Sequence, residues 1–317
     1  MSAAAGKAES TYDLLTAWFG EMAPDDESQH EASWCTKDAD PAHGGDLILD
    51  RRNRRLKLFD VEAADHCDPG LQIWRTGLSE CSDLYSKLTI YARPGREMSW
   101  MTSGFLSEGF IAGYFADGED AQIWVAFGNE TRAEAPRDGL HDDIVRLAAA
   151  KPIIVPRPAA GCESVAAGLD LAPAIAELML ATFDDYPTPI SLEIIAEQIR
   201  SGSNVFRCMK NAAGEIVASA SAEVDHERRT AEMTDCATRP DQRGAGHMAC
   251  LLQDLAGDVK SQLGITDLYT LARADEVGMN CVFGKLGYLY TGRLVNNCRM
   301  PNGWESMNIW CRSTDEA

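Results

Sequence analysis

The stretch Thr238-Arg239-Pro240-Asp241-Gln242-Arg243-Gly244-Ala245-Gly246-His247, followed by the apolar run Met248 to Leu255, constrains this chain more than any other. It comes straight after a β-rich segment and opens a helix. The glycines let the backbone curl so that successive N–H groups point inward, and the helix N-terminus behind them adds roughly half a positive charge. That combination is an anion site. A P-loop would need Lys-Ser or Lys-Thr after the turn, and a Rossmann fingerprint would need a third glycine; neither is present. The fold must bring a strand to the start of a helix and leave the turn between them open to a phosphate-bearing ligand.

At 317 residues the chain is long enough for two domains with separate cores. A formal net charge of −20 is spread over both halves and reads as a solvated acidic surface, which disfavours nucleic acid and anionic membranes. Any polyanionic ligand therefore needs local positive potential, here from the loop amides, Arg239 and Arg243. Ten cysteines at irregular intervals, with no Cys-x-x-Cys and no pairing with the six histidines, point to reduced thiols, a cytoplasmic protein and no zinc site. No apolar run approaches the roughly 20 residues that span a bilayer. Tyr12 to Met22 is an amphipathic helix candidate, too short and too acidic for a signal peptide.

Residues 1–40 read as an acidic lead-in. Residues 41–150 alternate strand-like runs (Asp46 to Leu49, Arg55 to Phe59, Ser86 to Tyr91, Ile123 to Phe127) with helical stretches and end in a short helix at Asp142 to Ala150. The linker is expected at 151–164 and the second domain at 165–317. Helices are expected at about Ala172 to Phe183 and Ser191 to Ser201, flanking the turn Tyr186-Pro187-Thr188-Pro189, with Ser191 as N-cap. Strands follow at Asn204 to Lys210, Ile216 to Val224 and Thr230 to Thr238, then the loop and its helix to about Leu263. A strand at Leu268 to Arg273, a helix at Met279 to Lys285, and strands at Tyr288 to Leu294 and Ser306 to Cys311 complete the domain.

The loop resembles the Arg-x-x-Gly-x-Gly/Ala pyrophosphate loop of the GNAT superfamily of acyl-CoA N-acyltransferases. Arg243 and Gly246 match, and Met248 stands where Gly or Ala is usual. Met279-Asn280-Cys281-Val282-Phe283-Gly284-Lys285-Leu286-Gly287-Tyr288 is similar to the Lys-Leu-Gly-aromatic close of that superfamily's last helix. The resemblance implies an α+β fold, a mixed sheet splayed open where acyl-CoA enters, with acetyl-CoA as cosubstrate and no metal. Gly104-Phe105-Leu106 to Tyr114 looks like a second copy of the same close. It implies a degenerate GNAT-like N-terminal domain that lacks the loop and binds no cofactor of its own, the alternative being an unrelated α+β domain. More narrowly, Phe183 to Ile190, Glu232 to Thr238, Ala272-Arg273-Ala274, Gly292 to Asn297 and Met307 to Trp310 resemble the β-lysine N-acetyltransferases. That similarity implies transfer of acetyl to the ε-amine of β-lysine, giving the compatible solute Nε-acetyl-β-lysine.

Such a transfer needs a thioester held in reach, a neutral amine and a polarised carbonyl. A lysine-like ammonium has a pKa near 10.4, so the acceptor needs a base. Glu232, on the strand before the loop, matches the superfamily's base position; Asp235 is the alternative, as base or as anchor for the acceptor's second amine. The backbone of Cys236, Ala237 and Thr238 is expected to hold the pantetheine like an added strand, with one N–H polarising the thioester oxygen. Arg243, Gly244, Ala245, Gly246, His247 and Met248 are expected at the pyrophosphate, and Asn280 beside the cofactor. The superfamily's general acid is a tyrosine at the position of Phe283; Tyr288 and Tyr290 are nearby substitutes. Arg273, Asn296 and Asn297 are candidates for the acceptor carboxylate, and Tyr186 for the pocket lip. Two further readings stay open: an acetyltransferase on another small amine, such as lysine, ornithine or a polyamine, and a non-catalytic acyl-CoA sensor.

Overall fold

The computed structural model describes residues 35–39, 46–62, 69–80, 82–186, 188–300 and 303–315. The helix candidate Tyr12 to Met22 and residue Pro187 lie outside them. The chain divides into two compact units that are not consecutive in sequence. Unit 1 comprises Met1–Phe110, Ala121–Pro136 and Leu294–Glu305; unit 2 comprises Ile111–Asp120, Arg137–Arg293 and Ser306–Ala317.

Unit 1 runs β1 (Cys35–Ala39), β2 (Asp46–Asp50), β3 (Arg55–Val61), α1 (Pro69–Glu80), β4 (Lys87–Ala92), α2 (Glu97–Thr102), β5 (Leu106–Ile111), β6 (Ala121–Phe127) and α3 (Glu130–Ala133). The first three strands form an antiparallel meander. Then α1 crosses over, β4 lies parallel to β3, and the sheet order is β1-β2-β3-β4-β6-β5. β1 falls in the stretch expected as a lead-in; full pairing with β2 makes it a strand. The core gathers Leu47, Leu56, Leu58, Leu88 and Ile90 with Trp74 of α1, and Trp100 stacks on Trp124 at 5.9 Å.

Charges are also buried in this unit. The Lys87 ammonium donates to both Glu108 oxygens, at 3.0 and 2.7 Å, and to the Val295 carbonyl at 2.7 Å. Burial pulls the Lys87 pKa down to about 8 against the opposing pull of Glu108. Arg132 lies 3.3 Å from the centroid of the Trp304 ring and donates to Ser86 Oγ and to the Asn53 carbonyl.

Unit 2 holds α4 (Asp138–Ala149), β7 (Glu163–Ala166), α5 (Ala172–Thr182), α6 (Leu192–Ser201), β8 (Asn204–Lys210), β9 (Ile216–Asp225) and β10 (Thr230–Thr238). After them come α7 (His247–Leu263), β11 (Asp267–Arg273), α8 (Val277–Lys285), and those parts of β12 (Leu289–Met300) and β13 (Gly303–Ser313) that belong to the unit. Its sheet order is β7-β8-β9-β10-β11-β13-β12, with β10 and β11 the parallel pair that α7 connects. Ser191 caps α6 by accepting from Ile194 N–H at 3.2 Å. On α7 the buried residues Met248, Leu251, Leu252, Leu255 and Val259 recur at helical spacing and cover Ala220, Ala222, Ala231 and Met233 of the sheet.

α4, expected to close the first domain, belongs to unit 2. Its Ala148 joins the α7 core, and its carbonyl lies so near Gly284 of α8 that any Cβ there would collide with it. Ile144 and Ala148 of this helix are buried. Likewise Leu294–Glu305, expected in the second domain, counts with unit 1.

The two units repeat one order of elements: three antiparallel strands, a helix, a parallel strand, a helix and two more strands. The repeat extends to the turn after the second helix. Gly104 and Gly287 both have φ of 80°. Phe105 N–H donates to Trp100 O at 3.0 Å, as Tyr288 N–H does to Phe283 O at 3.1 Å. Both are Schellman closures, in which a left-handed glycine lets the next N–H reach back over the last turn.

Glu108→Ala should destabilise the protein by about 3–5 kcal/mol, because it strips a buried ammonium of its carboxylate. Urea unfolding would read this, and the double substitution Lys87→Met with Glu108→Leu should recover most of the loss.

Candidate active site

Parallel pairing between β10 and β11 extends over only two rungs, Ala231 with Leu268 and Glu232 with Tyr269. Thr270 Oγ1 donates to Met233 O at 2.8 Å just beyond them. From Thr234 onward β10 has no ladder partner on that side, so its backbone groups face the opening between the strands.

β10 also bulges. Its register against β9 shifts between Thr234 and Ala237, and Asp235 takes φ of 50°. The extra residue reverses which face each side chain meets. Before the bulge Ala231 and Met233 pack toward α7, so Glu232 and Thr234 face the other way. After it Cys236 packs against the α7 core and Ala237 enters the cluster under α5 and α6.

Asp235 sits at this reversal. Ser221 Oγ donates to one of its oxygens at 2.6 Å and Tyr186 Oη to the other at 3.0 Å. Burial pushes the Asp235 carboxyl up, and these two hydrogen bonds pull it back. Burial and the Asp235 charge push the Tyr186 phenol well above its usual range, so it stays a donor. A cavity bounded by Met179, Thr188, Pro189, Ile190, Ile194, Ile195, Gln198 and Asp235 opens onto the carboxylate. Glu232 is half-buried, opposite Glu223 of β9.

The Cys236 thiol is pushed up by burial first, then by Asp235 and Glu232, and it donates to Thr234 O at 3.5 Å. It is a neutral thiol. Tyr288 packs edge-on to Phe283 at 5.2 Å, and its buried hydroxyl has no hydrogen-bond partner among the described residues. Burial raises its pKa.

At the end of β10 the turn Pro240–Gln242 leads into Arg243, Gly244, Ala245 and Gly246, all exposed. Gly244 and Gly246 both have φ of 82°, with nothing within 4 Å of a Cβ placed on either. Gly246 is the N-cap of the 17-residue α7, whose first N–H groups have no acceptor within the helix. Open space, left-handed glycines and a helix N-terminus fit a pyrophosphate. Arg239 pairs with Asp241 at 3.1 Å, leaving Arg243 as the arginine that hydrogen-bonds the loop's own entry, through Thr238 O.

Several expected ligands are placed elsewhere. Asn280 is fully buried, and its side chain donates to the Arg273 and Glu276 carbonyls and accepts from Asn308 and Trp310, so it ties α8 to the sheet. Asn296 donates to the Arg132 and Glu134 carbonyls inside unit 1. Asn297 is buried there too, with its carbonyl accepting from Arg55 and Arg132. Neither lines the Asp235 cavity. His247 and Met248 are buried, the His247 residue 2% exposed, so neither side chain lies open to solvent at the start of α7. Arg273 pairs with Glu276 at 3.4 Å and is not among the cavity residues. Ser221 and Thr270 were not anticipated; the Ser-Ala alternation of Ser219-Ala220-Ser221-Ala222 was the available signal for the former.

No protein-family model matches the chain. The chain is 36% identical over 249 residues to a β-lysine N(6)-acetyltransferase of Methanosarcina mazei, covering 71% of this chain and 90% of that one. It belongs to the GNAT superfamily, among the β-lysine N-acetyltransferases. An N-acetyltransferase of Bacillus subtilis, YodP, is 30% identical over 71% of this chain and 82% of its own length. A solved spermidine N-acetyltransferase of Vibrio cholerae covers 50% of the chain at 14% identity and a TM-score of 0.44. The enzyme is thus an acetyl-CoA-dependent N-acetyltransferase.

Gly246→Asp sets a carboxylate against the pyrophosphate, a like-charge contact that costs several kcal/mol, so acetyl-CoA affinity should fall by about 100-fold or more. Calorimetric titration with unchanged far-UV dichroism would check it; unaltered affinity would remove the loop from the cofactor site.

Proposed function

We propose that the enzyme transfers acetyl from acetyl-CoA to the ε-amine of β-lysine, by direct attack with both substrates bound. The observation that carries this reading is the parting of β10 from β11 after Glu232 and Tyr269, with the anion loop at one end and Glu232 and Asp235 beside it. The relatives named for β-lysine supply the acceptor. Acetyl-CoA would bring the activated acyl thioester. The chain's own part is to hold it through Cys236, Ala237 and Thr238 and the loop from Arg243 to Met248. It also directs a backbone N–H at the acyl oxygen and takes a proton from the amine.

Glu232 is the base in this proposal: a carboxylate on the strand leading into the opening, on the face away from α7. Tyr288 would return a proton to the departing thiolate, its orphaned hydroxyl standing in for the tyrosine that Phe283 replaces. The neutral Cys236 thiol makes direct attack by the amine the simpler route. Unit 1 is, on this reading, a degenerate copy of the acetyltransferase fold: it repeats the order of strands and the glycine closure without the loop. Acetylation removes one positive charge from β-lysine and leaves a product of zero net charge. Such a solute can accumulate without adding to ionic strength, which suits osmoadaptation in the cytoplasm.

Glu232→Gln should lower kcat at neutral pH by about 10²–10⁴-fold with little change in the KM for acetyl-CoA. Activity should return in part as pH rises and the amine deprotonates in solution; a loss constant with pH would make Glu232 a binding residue. For the acceptor, β-lysine should exceed α-lysine in kcat/KM by roughly ten- to hundredfold, since moving one amine by a carbon leaves its buried partner unpaired. Free-thiol release on the two isomers measures this, and equal rates would remove β-lysine as the preferred acceptor.

A further inference from the structure

The two units differ most tellingly at one carboxylate. Asp60 is the sixth residue of β3 and Asp235 the sixth of β10. Each sits at a shift in register and each has a left-handed backbone, with φ of 59° and 50°. In unit 1 β4 stays paired with β3 as far as Val61 and Ala92, and Arg93, the next residue, reaches Asp60 at 2.8 Å.

The same count along β11 arrives at Arg273: Arg55 pairs with Lys87, six residues before Arg93, and Thr230 is in step with Asp267, six residues before Arg273. Here the strands have parted. Arg273 pairs with Glu276 instead, and Asp235 has turned to Ser221 and Tyr186. Among the described residues no Lys, Arg or His pairs with Asp235. Two neutral hydroxyls hold this half-buried carboxylate in place but do not supply the counter-charge that its partial desolvation calls for. The cavity in front of it is walled by Met179, Pro189, Ile190, Ile194 and Ile195, surfaces that suit methylene groups.

We infer that Asp235 is the specificity residue of this enzyme, binding the non-reacting ammonium of a diamino acceptor in the place that Arg93 fills beside Asp60 in unit 1. The splay that admits the cofactor removes the internal arginine, and the substrate restores the pair while its alkyl chain lies along the isoleucines. The inference rests on the acetyltransferase reading above.

The test uses the full-length protein with β-lysine and with 6-aminohexanoate, which has the same carboxylate and distal amine but lacks the β-amine. Wild-type protein should prefer β-lysine by about 100-fold in kcat/KM, the range of a charge pair formed in a buried site. Asp235→Asn keeps a side chain at ease with left-handed backbone and the right shape for both hydroxyls. It should lose about 100-fold on β-lysine and change less than about threefold on 6-aminohexanoate, so that the preference collapses.

Equal losses on both substrates would make Asp235 a base or a structural residue and overturn the inference; so would wild-type rates that are equal, a measurement that needs no variant. Should Asp235→Asn fail to fold, Tyr186→Phe loosens the carboxylate and should narrow the preference while sparing 6-aminohexanoate; an unaltered preference there counts against the inference. If β-lysine is not a substrate, the pair 1,4-diaminobutane and butylamine tests Asp235 in the same way. Absence of thiol release with every amine would instead refute the acetyltransferase reading itself.

Discussion

β10 and β11 pair through Ala231 with Leu268 and Glu232 with Tyr269, and then separate. Parallel strands joined by a crossover helix normally continue their ladder, because each unpaired backbone group left inside a protein costs free energy. The opening is stable here because other groups meet that demand at its apex: the Thr270 hydroxyl donates to Met233 O, and the Asp235 bulge turns the chain so that Cys236 and Ala237 bury into different cores. Every other property of the site follows from this break. It leaves a strand edge open, leads that edge to the N-terminus of α7, and sets two carboxylates beside the junction.

Unit 1 shows what the same order of elements does without the break. β3 and β4 stay paired across the bulge, Asp60 meets Arg93, and the sequence between β3 and α1, residues 62–68, holds no glycine. Lys57 occupies the third position of β3, where β10 has Glu232. Unit 1 is thus closed along its strands and neutralised at its bulge. Its buried ion pairs, Lys87 with Glu108 and Arg55 with Asp50, serve its interior.

How far the sequence could be read depended on the range of the interaction. The glycine loop, the N-cap Ser191, the α5 to α8 helices and the strands β8 to β11 are local patterns, and the structure has them within a residue or two of expectation. Glu232 and Asp235 came from resemblance to a family motif, and both lie beside the opening. Asn280, Asn296 and Asn297 could not be read because an amide in a sequence looks alike whether it meets a ligand or a distant carbonyl; the Asn280 side chain meets Arg273 O and Glu276 O, and that of Asn296 meets Arg132 O and Glu134 O. The placement of α4 and the hidden strand β1 failed for the same reason: partners far along the chain determine each. The arginine that Asp235 lacks could not be seen at all without a sheet register against which to count.

The neutrality of Cys236 has a consequence for chemical fidelity. A thiolate beside a thioester exchanges acyl groups readily, and an ionised cysteine on this strand would intercept the acetyl group before an amine could. Burial and the two neighbouring acids, Asp235 and Glu232, disfavour the thiolate. If the acceptor binds as proposed, the carboxylates that draw its ammonium also disfavour the competing thiolate, so one patch of negative charge would serve both selection and protection of the acyl donor.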